Sequence, residues 1–463
     1  MSFKQNSSEE VADTAEQFSN KVMNPHQRRQ FEDYNIMVAK KEKIEKEDKM
    51  IHHIHVRNMW LTANLKAIDA YDSFYKNTKA LLILFQIMGV VPITREKKGR
   101  SRDRTSFSYA SKESLWAYFL YSFQTAVVIS VGYARIDEFV QSTDQTFDVI
   151  IHRVIFITIL LVHFILPFAS WRNGSKVAEF KNMWTKYQQK HARVCGERIY
   201  FGKLSFITWG LCFLSWTLGI TLVLAEYFLQ TDFKFWHTFA YYHIIATLNC
   251  FCALWYINCT AFSLASEKVI RPLGQILRSN VSPSSHRIAE FRNLWIDLSQ
   301  MMRQLARVNS DIYSLYLIMI FFVTIIASYG TISEVMDHGF TFKELGLLMI
   351  AFYCMGILYI ICNEAHYANL KVGYMFQQIL FNVNTVGLTQ NAKKELEMFI
   401  IAIQKNPPVM SLNGYLTVDR GLVSSSMTFI TTYLIVLMQF KMSLIRQNNF
   451  AAQRAATANI TLT

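Results

Sequence analysis

A glutamine interrupts the last long apolar run of the chain, in the stretch TTYLIVLMQF at residues 431–440. A primary amide within a membrane must find a hydrogen-bonding partner or water. Gln439 therefore either joins neighbouring helices or faces an aqueous pathway. On a helix, steps of three and four residues place five side chains on one face: Thr432, Val436, Gln439, Phe440 and Ser443.

These two alternatives for Gln439 imply different chemistry. Glutamines commonly hold membrane helices together through hydrogen bonds. If copies of this helix surrounded an axis, Gln439 would instead form a hydrophilic ring beside apolar rings of Val436 and Phe440. Narrow apolar rings dewet and amides help to hydrate a passing cation, so such a set of rings would form an ion gate. The residues alone leave both alternatives open.

A second candidate site is an aromatic cluster at the start of an earlier apolar run, WHTFAYYHIIATLNC, which faces a preceding run that ends in LAEYF. His237 and Tyr241 are four residues apart, so they share a helix face and can converge on one ligand. Aromatic rings with polar tips are equally typical of the belt at a membrane surface. The candidate ligand-binding residues are Tyr227, Trp236, His237, Tyr241 and His243.

Several functional classes are disfavoured by what the sequence lacks. The apolar runs contain few titratable groups, and these do not converge as catalysis requires, so we expect no enzyme. His52, His53 and His55 have no cysteine or carboxylate partner at ligand spacing, so we expect neither a metal nor another cofactor. The net charge of +13 arises from basic residues in loops, which membrane topology explains without nucleic acid.

The elements that position both sites are membrane helices. Hydrophobic residues make up 52% of the 463 residues and charged residues 17%, a composition too apolar for ordinary soluble domains. A spanning helix needs about 20 mostly apolar residues, and seven runs satisfy this length. They are residues 114–133, 149–171, 204–228, 236–263, 312–333, 344–365 and 418–440. We therefore predict an all-α membrane protein with seven transmembrane helices.

Basic residues in the loops predict the orientation. The loops after the second, fourth and sixth runs contain 19 Lys and Arg residues, whereas those after the other three contain only Arg135, Lys234 and Lys343. Positive loops stay in the cytoplasm, so the amino terminus is expected inside and the carboxyl terminus outside. Three basic residues in the short tail, Lys441, Arg446 and Arg454, weakly oppose this. A G-protein-coupled receptor has the inverse topology.

The predicted domains follow from these runs. Amphipathic stripes at residues 175–194, 290–313 and 391–407 predict helices that form a compact cytoplasmic base able to hold several chains together. Residues 78–93 are apolar but short, and we expect a buried or interfacial helix there. The predicted segments are a partly disordered cytoplasmic tail at 1–77, helices one to six with a ligand pocket in their outer half at 78–366, a cytoplasmic anchor helix at 367–412, a seventh helix at 413–441 and a short extracellular tail at 442–463.

The final run resembles the insect gustatory receptor family, whose signature is Thr-Tyr, five aliphatic residues and Gln-Phe. Thr432, Tyr433, Gln439 and Phe440 match it with the same spacing. The resemblance extends over residues 78–441. Within the family, ALLILFQIMGVVPITR from Ala80 and the stretch from Trp236 are similar to the carbon dioxide receptor subgroup.

The resemblance implies a tetrameric, ligand-gated, nonselective cation channel in the plasma membrane of sensory neurons, a homomer or a heteromer with paralogous subunits. It also implies that the last helix lines a central pore, with Val436, Gln439 and Phe440 at the narrowest part. The ligand would be carbon dioxide or another small volatile, or bicarbonate, unless this subunit only supports the pore. The alternatives are a receptor for another ligand, such as a sugar, and a metabotropic seven-helix receptor.

Overall fold

The structure, a computed structural model, describes most of the chain after residue 71. The described residues are 72–96, 104–141, 147–229, 233–278, 283–339 and 342–460. The predicted tail at 1–77 lies outside them except for residues 72–77, and so do His52, His53 and His55.

The described residues are mainly α-helical, with two short β-hairpins. The helices are α1 (Ser73–Ile87), α2 (Lys112–Gln141), α3 (Phe147–Arg172), α4 (Gly174–Cys195), α5 (Leu204–Leu229), α6 (His237–Arg278), α7 (Ser285–Val308), α8 (Ser310–His338), α9 (Phe342–Asn369), α10 (Met375–Phe381), α11 (Gln390–Lys405) and α12 (Arg420–Ile460). A π-helical turn, Leu370–Tyr374, joins α9 to α10. The hairpins pair β1 (Ile93–Glu96) with β2 (Arg104–Phe107) and β3 (Ser411–Leu412) with β4 (Leu416–Thr417).

Seven helices within the described ranges are long and apolar enough to cross a membrane, which confirms the predicted number. They lie at Lys112–Gln141, Val154–Arg172, Leu204–Leu229, His237–Arg278, Ser310–Asp337, Leu345–Phe381 and Arg420–Gln447. The fourth is much longer than the predicted run at 236–263. A count of apolar residues stops near the first charges, Glu267 and Lys268, but the backbone remains helical to Arg278.

Helix α6 is the centre of the bundle, because it packs against α5 and α9 and is the most buried of the seven. Its side chains are apolar or small on nearly every side, which is typical of a helix surrounded by protein. The Trp255 indole Nε1 donates to the Ile361 carbonyl at 3.0 Å. The Tyr313 hydroxyl donates to the Phe251 carbonyl at 2.8 Å. These bonds fix the rotation of α6 relative to α8 and α9.

The three amphipathic stripes form one helical layer, since α7 packs between α4 and α11. The Lys190 ammonium lies 2.6 Å from the Asp297 carboxylate, joining α4 to α7. Helix α4 is separated from α3 by a single non-helical residue, Asn173. The Asn173 side-chain amide donates to the Asp311 carboxylate at 3.0 Å and to the Ala169 carbonyl at 3.3 Å. Side chains that bond nearby backbone in this way compete with helix continuation.

The apolar segment at 78–93 forms most of α1 and the turn after it. Phe74, Leu81 and Phe85 are 1% exposed, so the expected buried helix is present. The chain then reverses at Gly89, which has a φ of +70°. A Cβ atom there would lie 3.1 Å from the Ala117 Cα, so a side chain would be strained by both its backbone conformation and its neighbour.

The carboxyl-terminal part differs in detail from the predicted segments. The region predicted as one anchor helix, 367–412, contains the end of α9, the π-helical turn, α10 and α11. The predicted seventh helix at 413–441 begins only at Arg420, after the β3–β4 hairpin. It continues to Ile460 through most of the predicted tail, because no glycine or proline follows Gly421 to end it.

Candidate functional site

A small cavity lies within the bundle between α3, α5, α6, α8 and α9. Its volume is about 70 Å³. A single water molecule needs roughly 10–15 Å³ by the same measure, so the cavity has room for a molecule of only a few non-hydrogen atoms. Each of the five helices contributes apolar side chains to the lining. One example from each helix, in the order given above, is Phe156, Leu222, Ile245, Ile320 and Ile357.

The polar groups in the cavity wall are mostly tyrosine hydroxyls that already donate to protein. Tyr353 donates to the Asn249 amide oxygen at 2.7 Å. Tyr316 and Tyr241 donate to the backbone carbonyls of Leu248 at 3.0 Å and Phe156 at 3.4 Å. Their rings therefore form part of the cavity wall, while their hydroxyl groups donate to acceptors in the protein. The cavity suits an uncharged ligand that demands few hydrogen bonds.

Glu226 is the charged residue in the cavity lining. It lies on α5 and is 7% exposed. Its carboxylate is packed against α9 at Gly346, where an added Cβ atom would lie 3.2 Å from each carboxylate oxygen. A side chain at position 346 would displace this carboxylate, so the small residue on α9 makes the close approach possible.

Of the five residues predicted to bind ligand, Tyr241 lines the cavity. His237 shares its helix face, as predicted, but lies behind Phe233; the ring centres of His237 and Tyr241 are 5.6 Å and 5.4 Å from that of Phe233. His243 points towards α1, with its Nε2 atom 3.2 Å from the Met88 carbonyl oxygen.

The other two predicted ligand residues lie nearer the surface. Trp236 is 39% exposed. Tyr227 packs against Phe228 and Phe235, with ring centres 5.3 Å and 6.0 Å away. This placement fits the aromatic belt that the sequence left open as an alternative.

Sequence reasoning missed the cavity residues on α3, α5, α8 and α9. A usable signal was present in Tyr316 and Tyr353, because a hydroxyl in the middle of an apolar span needs a partner there. The carboxylate of Glu226 in LAEYF was a second signal. Phe156 and the aliphatic lining residues carried none, since an apolar residue in an apolar span is expected at any position.

The predicted gate residues all lie on α12, which is exposed over most of its surface within one chain. One side of this helix packs on α8 and α9, and Leu434, Leu437 and Met438 lie on that side. The predicted polar face lies away from that contact: Thr432, Tyr433, Val436, Gln439 and Phe440 are all exposed.

Gln439 makes no hydrogen bond to another part of the described chain. The Thr432 hydroxyl donates to the carbonyl of Thr428 at 2.8 Å, within its own helix. Within one subunit, Gln439 therefore does not hold α12 to another helix through a hydrogen bond. A face this exposed on a membrane helix is free to meet other subunits or a water-filled path.

Lys441, one of the basic residues that weighed against an outside carboxyl terminus, is buried on the packed side of α12. It is 6% exposed. Its ammonium pairs with the Asp337 carboxylate and donates to the Ser333 carbonyl at 3.0 Å, both on α8. Its charge is thus partnered by protein, which removes its weight as a topology signal against an outside carboxyl terminus.

Comparisons with known proteins agree with this architecture. The chain is 48% identical over 439 residues to gustatory and odorant receptor 22 of Anopheles gambiae, covering 95% of this chain and 94% of the relative. It is also 48% identical over 434 residues to gustatory and odorant receptor 21a of Drosophila melanogaster, covering 94% of each. These relatives confirm the predicted resemblance to insect gustatory receptors.

The fold is similar to that of the insect olfactory receptor OR5 from Machilis hrabei. Two structures of that receptor match, and one of them is a complex with eugenol. The TM-score is 0.56 at 12% sequence identity, covering 80% of this chain and 100% of the olfactory receptor chain. A family model described as 7tm chemosensory receptor matches residues 78–444. The chain therefore belongs to the 7tm chemosensory receptor family, a family of multi-pass membrane receptors and not of enzymes.

Proposed function

We propose that this receptor is a subunit of a ligand-gated cation channel that detects carbon dioxide. The observation that carries the proposal is the cavity of about 70 Å³ inside the helical bundle. Carbon dioxide has three atoms, is uncharged and accepts only weak hydrogen bonds. It therefore suits a small cavity in which the tyrosine hydroxyl groups already donate to protein acceptors. The similarity to the carbon dioxide receptor subgroup supports the same ligand.

Two other ligands fit this cavity poorly. Bicarbonate would lose its hydration inside it without meeting a basic residue in the lining, and would face the carboxylate of Glu226. A sugar has about a dozen non-hydrogen atoms and many hydroxyls that need partners in a specific site. The cavity is too small and too apolar to supply them.

We propose that four subunits place α12 around a central pore, with Gln439 as a hydrophilic ring between apolar side chains. The exposed face of α12 supports this arrangement, because a single subunit leaves it uncovered. The layer of α4, α7 and α11 would form the cytoplasmic base that holds the subunits together. The loop charges support an amino terminus inside the cell, which disfavours a metabotropic receptor.

The partners of this subunit are proposed to be further copies or paralogous receptor subunits in the membrane of a sensory neuron. The proposal is tested by expressing the chain alone and with each candidate paralogue and recording current. Dissolved carbon dioxide, bicarbonate and protons are each varied while the other two are held constant. We expect current to follow dissolved carbon dioxide. Current that follows bicarbonate or pH alone would exclude carbon dioxide as the ligand.

A cavity-filling substitution tests where the ligand binds. Val223 lines the cavity and is 3% exposed, so Val223→Phe fills much of the space. We expect sensitivity to fall at least about tenfold, since one extra methylene in an apolar pocket changes discrimination by roughly 10–200-fold. The measurement is the dose–response curve for dissolved carbon dioxide, with surface labelling to confirm expression.

The matched control is Val140→Phe, at a position 72% exposed on α2, which should leave the response unchanged. Ile350→Ala enlarges the same cavity from α9 and should restore part of the response when combined with Val223→Phe. An unchanged response in Val223→Phe would place the ligand outside this cavity.

A further inference from the structure

A buried arginine lies behind the cavity wall, at the end where α2 finishes and α6 begins. Arg135 is 3% exposed. Its guanidinium carbon lies 5.2 Å from the ring centre of Phe156 and 5.3 Å from that of Phe233, two rings that line the cavity on their other side. Its Nη1 atom is 3.2 Å from the Glu138 carboxylate. Its Nε and Nη2 atoms are buried and meet no hydrogen-bond acceptor in the described part of the chain.

A second buried donor, His237, lies beside Phe233. His237 is 0% exposed, and its Nδ1 atom is 3.3 Å from the backbone nitrogen of Lys234. Because Nδ1 accepts that backbone N–H, the neutral ring carries its proton on Nε2. The Nε2 atom is buried and has no acceptor among the described residues. Arg135 interacts electrostatically with His237, and with Tyr241 both electrostatically and through a side-chain hydrogen bond, so these groups are neighbours.

Among the described residues, two cations and one carboxylate meet at this point. Lys234 also pairs with Glu138, at 3.5 Å, so that two cations share one carboxylate. The aromatic rings stabilise the guanidinium by about 0.5–2 kcal/mol, but they offer no lone pair to an N–H donor. In the described part of the chain, the buried nitrogen atoms left to donate to a ligand are therefore Nε and Nη2 of Arg135 and Nε2 of His237.

We propose that Arg135 and His237 form a binding site for a small planar oxyanion, bicarbonate or a monocarboxylate. The Nε and Nη2 atoms lie on one edge of the guanidinium, and this edge matches the two oxygens of a carboxylate-like group. The His237 Nε2–H supplies a third donor. The site is separated from the apolar cavity by Phe156 and Phe233, so an anion bound there would act on the wall of the cavity from behind. It does not require carbon dioxide to be the ligand of the cavity.

The test is thermal unfolding of the purified full-length receptor in lipid nanodiscs, at fixed pH and ionic strength. A ligand that binds only the folded state raises the unfolding temperature, because it stabilises that state by RT ln(1 + [L]/Kd). We expect sodium bicarbonate and sodium formate to raise it relative to equal sodium chloride. Arg135→Lys keeps the charge but loses the two-atom edge, and should weaken anion binding about tenfold, as expected for loss of a charge-assisted hydrogen bond.

Arg172→Lys is the matched control, since Arg172 is an exposed arginine paired with Asp311, and it should retain the full effect. If Arg135→Lys fails to fold, His237→Phe removes only the third donor and should still weaken binding. Stabilisation by bicarbonate and formate alike assigns a general carboxylate site, and stabilisation by bicarbonate alone assigns bicarbonate. The formate arm contains no carbon dioxide, so its result is independent of the proposed ligand of the cavity. No stabilisation beyond chloride, or stabilisation that persists in both variants, would overturn the proposal.

Discussion

Gln439→Ala is expected to change cation permeation while surface expression stays intact. Four such substitutions around a pore remove the amides that help to hydrate a passing cation. An amide hydrogen bond contributes about 0.5–1.5 kcal/mol, which corresponds to about a two- to tenfold change in the rate of passage. The measurement is single-channel conductance together with the permeability ratio of large to small monovalent cations.

The chain offers a matched control for this substitution. Gln447 is an exposed glutamine on the same helix, beyond the signature, and Gln447→Ala should leave permeation unchanged. Gln439→Glu adds a ring of carboxylates and should increase calcium permeation relative to sodium. Normal permeation combined with lost assembly in Gln439→Ala would instead assign Gln439 to contacts between helices.

Breaking the contact between Lys441 and Asp337 is expected to change gating without changing permeation. This pair joins α12, which carries the proposed gate, to α8, which lines the cavity through Tyr316 and Ile320. A buried charge left without its partner is costly, and removing one member of a buried pair destabilises a structure by about 3–5 kcal/mol. Asp337 is 30% exposed at its side chain, so we expect a smaller effect, about 1–3 kcal/mol.

The measurement is a double-mutant cycle of Lys441→Ala and Asp337→Ala on the midpoint of the dose–response curve. Each single substitution should shift the midpoint by about tenfold, and the double variant should shift it less than the two shifts combined. The exchanged pair, Lys441→Asp with Asp337→Lys, should recover part of the wild-type response. Additive shifts would mean that the contact does not couple the two helices during gating.

The sequence allowed the seven spans and the layer of amphipathic helices to be predicted because both depend on local patterns. An apolar run of sufficient length predicts a membrane helix, and a stripe such as Leu294, Leu298 and Met302 predicts the face that packs. The shared face of Thr432, Val436 and Gln439 on α12 was also predictable from their helical spacing, whereas its exposure was not.

The cavity was not predictable, because its position depends on how five helices are rotated about their axes. Helices α8 and α9 are apolar on all sides, so their sequences do not show which side faces the interior. The role of Lys441 was misjudged for a related reason: a lysine near the end of a span usually reaches the membrane surface. Only the packing of α8 reveals the carboxylate of Asp337 beside it.

The most direct test of the account is current in excised membrane patches that contain this chain with its paralogues. Dissolved carbon dioxide is applied at constant pH and constant bicarbonate, without nucleotide or G protein. A channel that binds its own ligand predicts a rapid cation current that reverses with the cation gradient and is lost in Val223→Phe. Carbon dioxide responses that occur in intact cells but never in excised patches would contradict a ligand-gated channel and indicate a metabotropic receptor.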